Sequence, residues 1–510
     1  MSTPVILAID QGTTGSTCLL VDATLKVRAR ATHDFPQHFP SPGLVEHDPE
    51  ELWASILSGI RDVRTTMEAS GEPHEIVAIG ITNQRETSLI WSRETGAPLH
   101  NALVWQDRRT ADRCEELKAR GHEALIRERT GLVLDPYFSA TKLAWTLDNV
   151  DGAREAAARG ELAAGTIDTY VLWRLTDGAS HATEPSNASR TMLWPLDGRA
   201  DSERGWDLDL CELLRVPESL LPSVHPCTHR FGATRGVPGL PDGIPIHGIA
   251  GDQQAALFGQ ACFGQGEAKC TYGTGAFIMM NTGTTPVASK HGLLTTVGWQ
   301  LGDVTTYCLE GSAFMAGAVV QWLRDELKFF STAPEIEAMA SSVPDSGGVI
   351  LVPAHAGLGA PHWRPDARGM LSGLTRGSSR AHIARAALEG IALQVSDLVD
   401  AMVADLASTT SGDAGGQLKL QRLRVDGGAA ANDLLMQIQA DLLGVSLDRP
   451  RMLETTALGA VFLAGLGCGL WEDQTALTNA WIKDRSFEPS ATRDEVSALR
   501  DRWKAAVLKA

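Results

Sequence analysis

Ala8-Ile9-Asp10-Gln11-Gly12-Thr13-Thr14-Gly15-Ser16-Thr17 is the stretch on which the fold turns. An apolar run, Val5 to Ile9, precedes it, and a second, Cys18 to Val21, follows. Runs of this length bounded by glycine read as buried strands joined by a tight loop. Glycine has no Cβ, so backbone N–H groups can close on a ligand. A concave row of such groups, with hydroxyls beside it, cradles phosphate. Asp10 ends the first strand, where its carboxylate suits Mg²⁺, held directly or through water. No Gly-Lys-Ser/Thr follows, so this is not a Walker A loop. An ordinary glycine-rich hairpin shares the local pattern, so the weight falls on what the rest of the chain sets beside it.

With 510 residues the chain predicts two or more domains. A formal charge of -17 argues against nucleic acid, whose phosphates attract basic surfaces, but not against a nucleotide gripped by loops and metal. The eight cysteines form no Cys-x-x-Cys and sit in no His cluster, which argues against zinc and fits a reducing cytosol. The start lacks a basic flank and a long apolar core, so no signal peptide is expected. The uncharged run Thr455 to Trp471 reads as a buried helix rather than a membrane span, so no membrane insertion is expected.

In the first half, a strand near Lys26–Thr32 completes an antiparallel meander. Asp48-Pro49-Glu50-Glu51 announces a helix, with Leu52, Ile56, Ile60 and Val63 on its apolar face. Glu75–Thr82 reads as a strand ending in Asn83-Gln84-Arg85-Glu86-Thr87. Arg85 offers a rigid fork of donors and Glu86 offers acceptors, a pairing that grips adjacent hydroxyls of a polyol, although a surface ion pair has the same local sequence. Trp105 is either core or a wall against carbon atoms, Asp107 is expected to cap a helix, and Tyr137 follows a turn that can aim its hydroxyl at a cleft. Asp168 is expected to cap a helix through Leu175, and Thr176–Arg190 reads as a loop. Ile244–Ala250 is a strand ending in Gly251-Asp252-Gln253-Gln254, so Asp252 repeats the placement of Asp10. One carboxylate would touch metal and the other would face the nucleophile; a plain helix cap is the alternative for Asp252.

The second half opens with strand, glycine turn, strand: Ala268–Tyr272, Gly273-Thr274-Gly275, Ala276–Met280. Set against Leu7–Leu20 it resembles a diverged internal repeat that has lost the acid. Phe277 follows the turn. Gly311 to Arg324 reads as a helix start with Gly317 and Gln321 on one face, and Ser379–Met402 as a long helix. Leu418–Val425 reads as a strand running into Asp426-Gly427-Gly428-Ala429-Ala430-Ala431-Asn432, a flat backbone suited to a purine or ribose. The end of the chain is expected to be a helical cap, and the domain boundary is expected near residue 260.

Together these motifs resemble the FGGY carbohydrate kinases, most closely their glycerol-phosphorylating members. The likeness runs through Thr82-Asn-Gln-Arg-Glu-Thr87, Val104-Trp-Gln-Asp-Arg-Arg109, Tyr137-Phe-Ser-Ala-Thr-Lys142, Gly251-Asp-Gln-Gln254, Tyr272-Gly-Thr-Gly275 and Asp426-Gly-Gly-Ala429. It implies an α/β fold of two ribonuclease-H-like, actin-type ATPase domains with an interdomain cleft. Residues 1–260 would hold glycerol, Mg²⁺ and phosphate, and residues 261–510 the adenine nucleotide. The implied reaction is ATP-dependent phosphorylation of glycerol to sn-glycerol 3-phosphate in glycerol catabolism. Asp252 would be the general base. Arg85, Glu86, Trp105, Tyr137, Asp252, Gln253 and Phe277 would contact glycerol. Thr13, Thr14, Gly15, Thr274, Gly317, Gln321, Gly428, Ala429 and Asn432 would hold ATP, and Asp10 and Asp252 the Mg²⁺. A cytoplasmic homodimer or homotetramer is implied.

There are departures from the family pattern. Thr17 stands where the family often has an Arg reaching phosphate. Arg235–Gly243 does not match the loop that binds fructose bisphosphate in enterobacterial members, so no inhibition by that effector is expected. His229-Arg-Phe-Gly232 only partly resembles a segment phosphorylated in some Gram-positive members. Two competing functions remain: a kinase for a larger sugar, and an actin-type ATPase acting on protein.

Overall fold

The computed structural model describes residues 2–198, 202–364, 366–408 and 420–510. The chain forms two compact units. Unit 1 holds residues 1–261, 295–307 and 455–480; unit 2 holds 262–294, 308–454 and 481–510. The units are therefore not two halves of the sequence: two stretches from beyond residue 261 pack with unit 1.

The sheet of unit 1 is built from β1 (Thr3–Gln11), β2 (Gly15–Asp22), β3 (Val27–Asp34), β4 (His74–Asn83), β5 (Arg230–Ala233) and β6 (Pro245–Gly251), in the order β5-β6-β4-β1-β2-β3. The meander β1-β2-β3 is antiparallel, and β4 lies between β1 and β6, parallel to both. Val5, Leu7 and Ile9 on β1 meet Ile79 and Ile81 on β4 in one apolar core. The helix Pro49–Ser70 packs on β2 and β3, capped by Asp48 and closed by left-handed Gly71. The apolar helix Thr455–Gly467 packs against the same sheet and against the helix Asp252–Gly259. Glycines make that approach possible: a Cβ on Gly459 would lie 1.9 Å from the Ala255 carbonyl oxygen, and one on Gly259 2.1 Å from that of Thr455.

Six strands of the seven-stranded second sheet are β7 (Glu267–Tyr272), β8 (Ala276–Gly283), β9 (Val304–Ala313), β10 (Arg422–Asp426), β11 (Leu447–Pro450) and β12 (Lys483–Phe487), in the order β9-β8-β7-β10-β11-β12. β7 pairs antiparallel with β8 and parallel with β10, as β1 does with β2 and β4. Each turn is closed by a glycine N–H on a glycine carbonyl at 2.9 Å, Gly12 on Gly15 and Gly273 on Gly275, the second turn being one residue shorter. This is the internal repeat, written in topology. The helix Arg380–Ala407 covers the unit 2 core.

Local expectations needed correction. Asp107 caps no helix: the next one starts at Ala111, and Asp107 is buried, accepting from Val45 N at 2.7 Å and binding Arg109. Asp168 lies inside its helix, Ile167–Leu175, and binds the hydroxyls of Thr166 and Thr183. Thr176–Arg190 contains the short strand Ala182–Thr183, which pairs parallel with Ser223–Val224, and the short helix Pro185–Ala188. β9 runs on to Ala313, so the helix after it begins at Gly317, and the chain end includes strand β12. The expected start of the Leu418 strand lies outside the described residues; β10 begins at Arg422. Among the described residues no helix is long and apolar enough to cross a membrane.

Candidate active site

Three parallel strands of unit 1 end side by side, and their C-terminal ends carry the polar residues of the candidate site. Asp10 on β1 lies opposite Thr82 on β4, and Gly251 on β6 opposite Asn83. Neighbouring strands are about 4.8 Å apart, so Asp10 and Asp252 leave the sheet two strands, roughly 10 Å, from each other. Crevices outside the carboxyl ends of parallel strands are where ligands bind in open α/β sheets.

Between them, β4 delivers Arg85 and Glu86. Arg85 Nε lies 3.2 Å from Asp252 Oδ1, and its Nη1 donates to Gln254 Oε1 at 3.3 Å. Gly251 permits this, since a Cβ there would sit 2.7 Å from Arg85 Cγ. Asp252 is the first residue of its helix, with Gly251 as the cap, so its carboxylate is left for the site. Its Oδ1 also accepts from Gln253 N at 2.7 Å. Glu86 takes a left-handed backbone, φ 62°, a conformation that costs a non-glycine residue about 1–3 kcal/mol unless its surroundings enforce it. Here Ser139 Oγ donates to the Glu86 carbonyl at 2.9 Å, and Arg190 Nε to the Glu86 carboxylate at 2.7 Å. The side chains of Arg85, Glu86 and Arg190 are 2%, 1% and 0% exposed, whereas that of Asp252 is 30% exposed.

The phosphate-type turn is braced against this stretch. Gln84 donates through its backbone to the Gln11 carbonyl at 2.7 Å and through Nε2 to Gln11 Oε1 at 3.0 Å. Thr87 Oγ1 donates to Gln84 Oε1 at 2.8 Å and accepts from Trp105 N at 3.2 Å. The Trp105 indole N–H then donates to Thr13 Oγ1 at 3.0 Å. Half-buried Trp105 meets Tyr137 edge to face, centroids 5.6 Å apart. Lys142 pins the Tyr137 turn, its Nζ donating to the Tyr137 carbonyl at 2.6 Å; burial pushes this ammonium down to about 8. Thr14 is exposed on the turn, with half-buried Gly15 after it.

The other expected residues lie in unit 2. Thr274 is exposed, and its carbonyl accepts from Ala316 and Ala318 N, which ties the turn to the helix Gly317–Asp325. Gly317 packs so closely on Gly273 that a Cβ would stand 2.6 Å from its carbonyl oxygen. Gln321 is exposed one turn further along. Gly428 is exposed in a 3₁₀ turn and Ala429 half-buried, while Asn432 Oδ1 caps the next helix by accepting from Leu435 N at 2.9 Å. Phe277, half-buried on β8, pairs with Thr271.

Sequence reasoning missed Arg190 and the buried segment that carries it. Glu184 accepts from Ser186 and Asn187, burial pushes its carboxyl up to about 7, and Ser186 Oγ accepts from Gly251 N at 2.9 Å. The only signal was the density of polar residues in Thr183-Glu-Pro-Ser-Asn-Ala-Ser-Arg190. Thr17, in place of the family's Arg, shares a hydrogen bond with Thr32 at 2.9 Å. His229 stacks on His225, centroids 4.3 Å apart.

Residues 5–259 match the model of the N-terminal domain of the FGGY family of carbohydrate kinases, and residues 268–468 that of its C-terminal domain. The chain is similar to the glycerol kinase of Myxococcus xanthus, 53% identical over 507 residues and 99% of each chain. It is similar to that of Trichlorobacter lovleyi, 55% identical over 502 residues and 98% of each chain. Among solved structures it resembles Plasmodium falciparum glycerol kinase with ADP, at a TM-score of 0.92 and 35% identity, covering 100% of this chain and 98% of that one.

Proposed function

The chain belongs to the FGGY family of carbohydrate kinases, and from that premise we propose that it transfers the terminal phosphoryl group of ATP to glycerol, giving sn-glycerol 3-phosphate. The observation that carries this reading is the Arg85–Asp252 pair at 3.2 Å, beside Glu86, on the strand ends that also bear Asp10 and the Gly12–Gly15 turn. The name shared by its relatives supports the same acceptor.

Glycerol has three hydroxyls and little apolar surface. Arg85 donates to them, Glu86 and Asp252 accept from them, and Tyr137 and Gln253 complete the pairing. Trp105 covers the carbons. A site built to pair each hydroxyl rejects analogues lacking one by about 10⁴–10⁵ in favourable cases. The reacting hydroxyl oxygen forms a bond to the terminal phosphorus as the bond to the ADP oxygen breaks, and its proton passes late to Asp252. A carboxylate is a weak base toward an alcohol, so the rate comes from in-line positioning and charge neutralisation.

Thr13, Thr14 and Gly15 fit the phosphates. Thr274, Gly317, Gln321, Gly428, Ala429 and Asn432 fit the remainder of ATP. Among the described residues no cluster of three or more His, Cys, Asp or Glu is placed to hold a metal. One or two carboxylates, Asp10 and Asp252, fit an ion that keeps its waters and binds phosphate oxygens, as Mg²⁺ does. Mg²⁺ held there would neutralise phosphate charge. Eight free thiols, seven of them buried, support a cytoplasmic setting, and a homodimer or homotetramer goes with this reading.

The test is an ATP-coupled assay with glycerol, erythritol, xylulose and ribulose in parallel. This reading requires turnover of glycerol above the others. Turnover of a larger sugar instead, or ATP hydrolysis with no phosphorylated small molecule, contradicts it.

A further inference from the structure

We propose that Arg190 is a positioning residue for acceptor specificity, acting through Glu86 by holding that carboxylate ionised and fixed in orientation. The inference rests on the acceptor site proposed above.

Two buried arginines share out two carboxylates. Arg85 Nε is 3.2 Å from Asp252 but 3.8 Å from Glu86 Oε1. Arg190 Nε is 2.7 Å from that same Glu86 oxygen. Arg85 therefore lies nearer the partly open acid, and Arg190 bonds the buried one. Arg190 is itself fixed: its guanidinium lies over Phe138 at 5.2 Å and Tyr137 at 5.7 Å. Its neighbours lock the segment, Ser189 Oγ bonding Thr296 Oγ1 at 3.0 Å and the Thr191 carbonyl accepting from Ala140 N at 3.0 Å. Arg190 thus touches both sides of the proposed acceptor pocket, the carboxylate of Glu86 and the ring of Tyr137.

The physical need is specific. Only an ionised carboxylate is an acceptor at both oxygens; a protonated one turns a donor toward the substrate hydroxyl. Burial favours the protonated form; Arg190 at 2.7 Å opposes it most closely, with Arg85 at 3.8 Å and the buried Lys142 ammonium also acting on Glu86. A left-handed backbone at Glu86 aims the side chain, and the charge-assisted bond from Arg190 keeps it aimed.

The test uses the full chain with Arg190→Met, Arg190→Lys, Glu86→Gln and the double variant Glu86→Gln/Arg190→Met. Glycerol KM, ATP KM, kcat and the pH profile of kcat/KM are measured, with melting temperature as the folding control. Arg190→Met is expected to raise glycerol KM about tenfold or more, the scale of one lost charge-assisted hydrogen bond. ATP KM should stay unchanged, and the acid limb of kcat/KM should move to higher pH. Adding Arg190→Met to Glu86→Gln should change glycerol KM little further. Arg190→Lys keeps the charge without the planar fork, so KM should rise with the acid limb in place. Additive effects in the double variant, or an unmoved glycerol KM in Arg190→Met, overturn the proposal. Should Arg190→Met not fold, a wild-type glycerol KM in Arg190→Lys does the same. Had the acceptor itself been misread, wild type would ignore glycerol and turn over another polyol, and the same comparison would be run on that polyol.

Discussion

Arg85 Nε lies 3.2 Å from Asp252 Oδ1, joining the ends of two adjacent parallel strands. The guanidinium is nearly buried while the carboxylate is partly open, so the pair presents a donor fork and an acceptor to one point. Lysine cannot reproduce that fork. Arg85→Lys should raise glycerol KM about tenfold or more, the scale of a lost charge-assisted hydrogen bond, with ATP KM little changed. Steady-state kinetics at saturating ATP checks it; a wild-type glycerol KM would remove Arg85 from the acceptor site.

Trp105, the wall proposed for the acceptor, is tied to the Gly12–Gly15 turn through its 3.0 Å hydrogen bond to Thr13. Trp105→Phe keeps an aromatic face and deletes the donor. One neutral hydrogen bond is worth about 1 kcal/mol, so ATP KM should rise about fivefold together with a smaller rise for glycerol. A change confined to glycerol would mean that the bond does not steady the turn.

Within unit 1, the helix Thr455–Gly467 lies close against the helix Asp252–Gly259 because Gly459 and Gly259 have no side chains: a Cβ on Gly459 would stand 1.9 Å from the Ala255 carbonyl oxygen. Gly459→Ala should destabilise by about 1–3 kcal/mol through overpacking, seen as a lower denaturant midpoint. Gly428→Ala, whose Cβ would meet nothing within 4 Å, should leave the midpoint unchanged. Equal midpoints for both would refute the packing argument.

Burial pushes the His47 imidazole down to about 4, with neighbouring His38 adding to the effect, and burial takes His181 to about 4 as well. His47 faces Gln37 at 2.8 Å and the Gln84 amide at 3.2 Å, which fits a neutral ring accepting from Gln84. The unfolded value, 6.5, is higher, so the unfolded chain binds more protons. This contribution to stability is complete above pH 6.5 and is lost as pH falls toward 4. Melting temperature should drop across that window, and His47→Gln should flatten part of the drop. An identical pH dependence in the variant would acquit His47.

The parts of the site nearest in sequence were the parts legible there. Asp10 with its turn, Arg85 beside Glu86, and Asp252 after glycine each sit where an apolar run stops, so strand ends could be read from periodicity alone. Asp107 and Asp168 have the same local look as helix caps, yet tertiary partners claimed them: Val45 N for one, Thr183 for the other. Arg190 was invisible because its partner is 104 residues away and no period links them. The helix Thr455–Gly467 announced its burial by being apolar all round, but that same uniformity hides which surface it covers.

The account depends on Asp252 facing the reacting hydroxyl of glycerol. Asp252→Asn keeps the shape and removes the charge. The direct measurement is glycerol 3-phosphate formed per enzyme, with ATP binding followed by calorimetry on the same sample. The account predicts product formation reduced by at least about a hundredfold, the usual contribution of a positioned acid or base, with ATP affinity near wild type. Wild-type turnover in Asp252→Asn would contradict it.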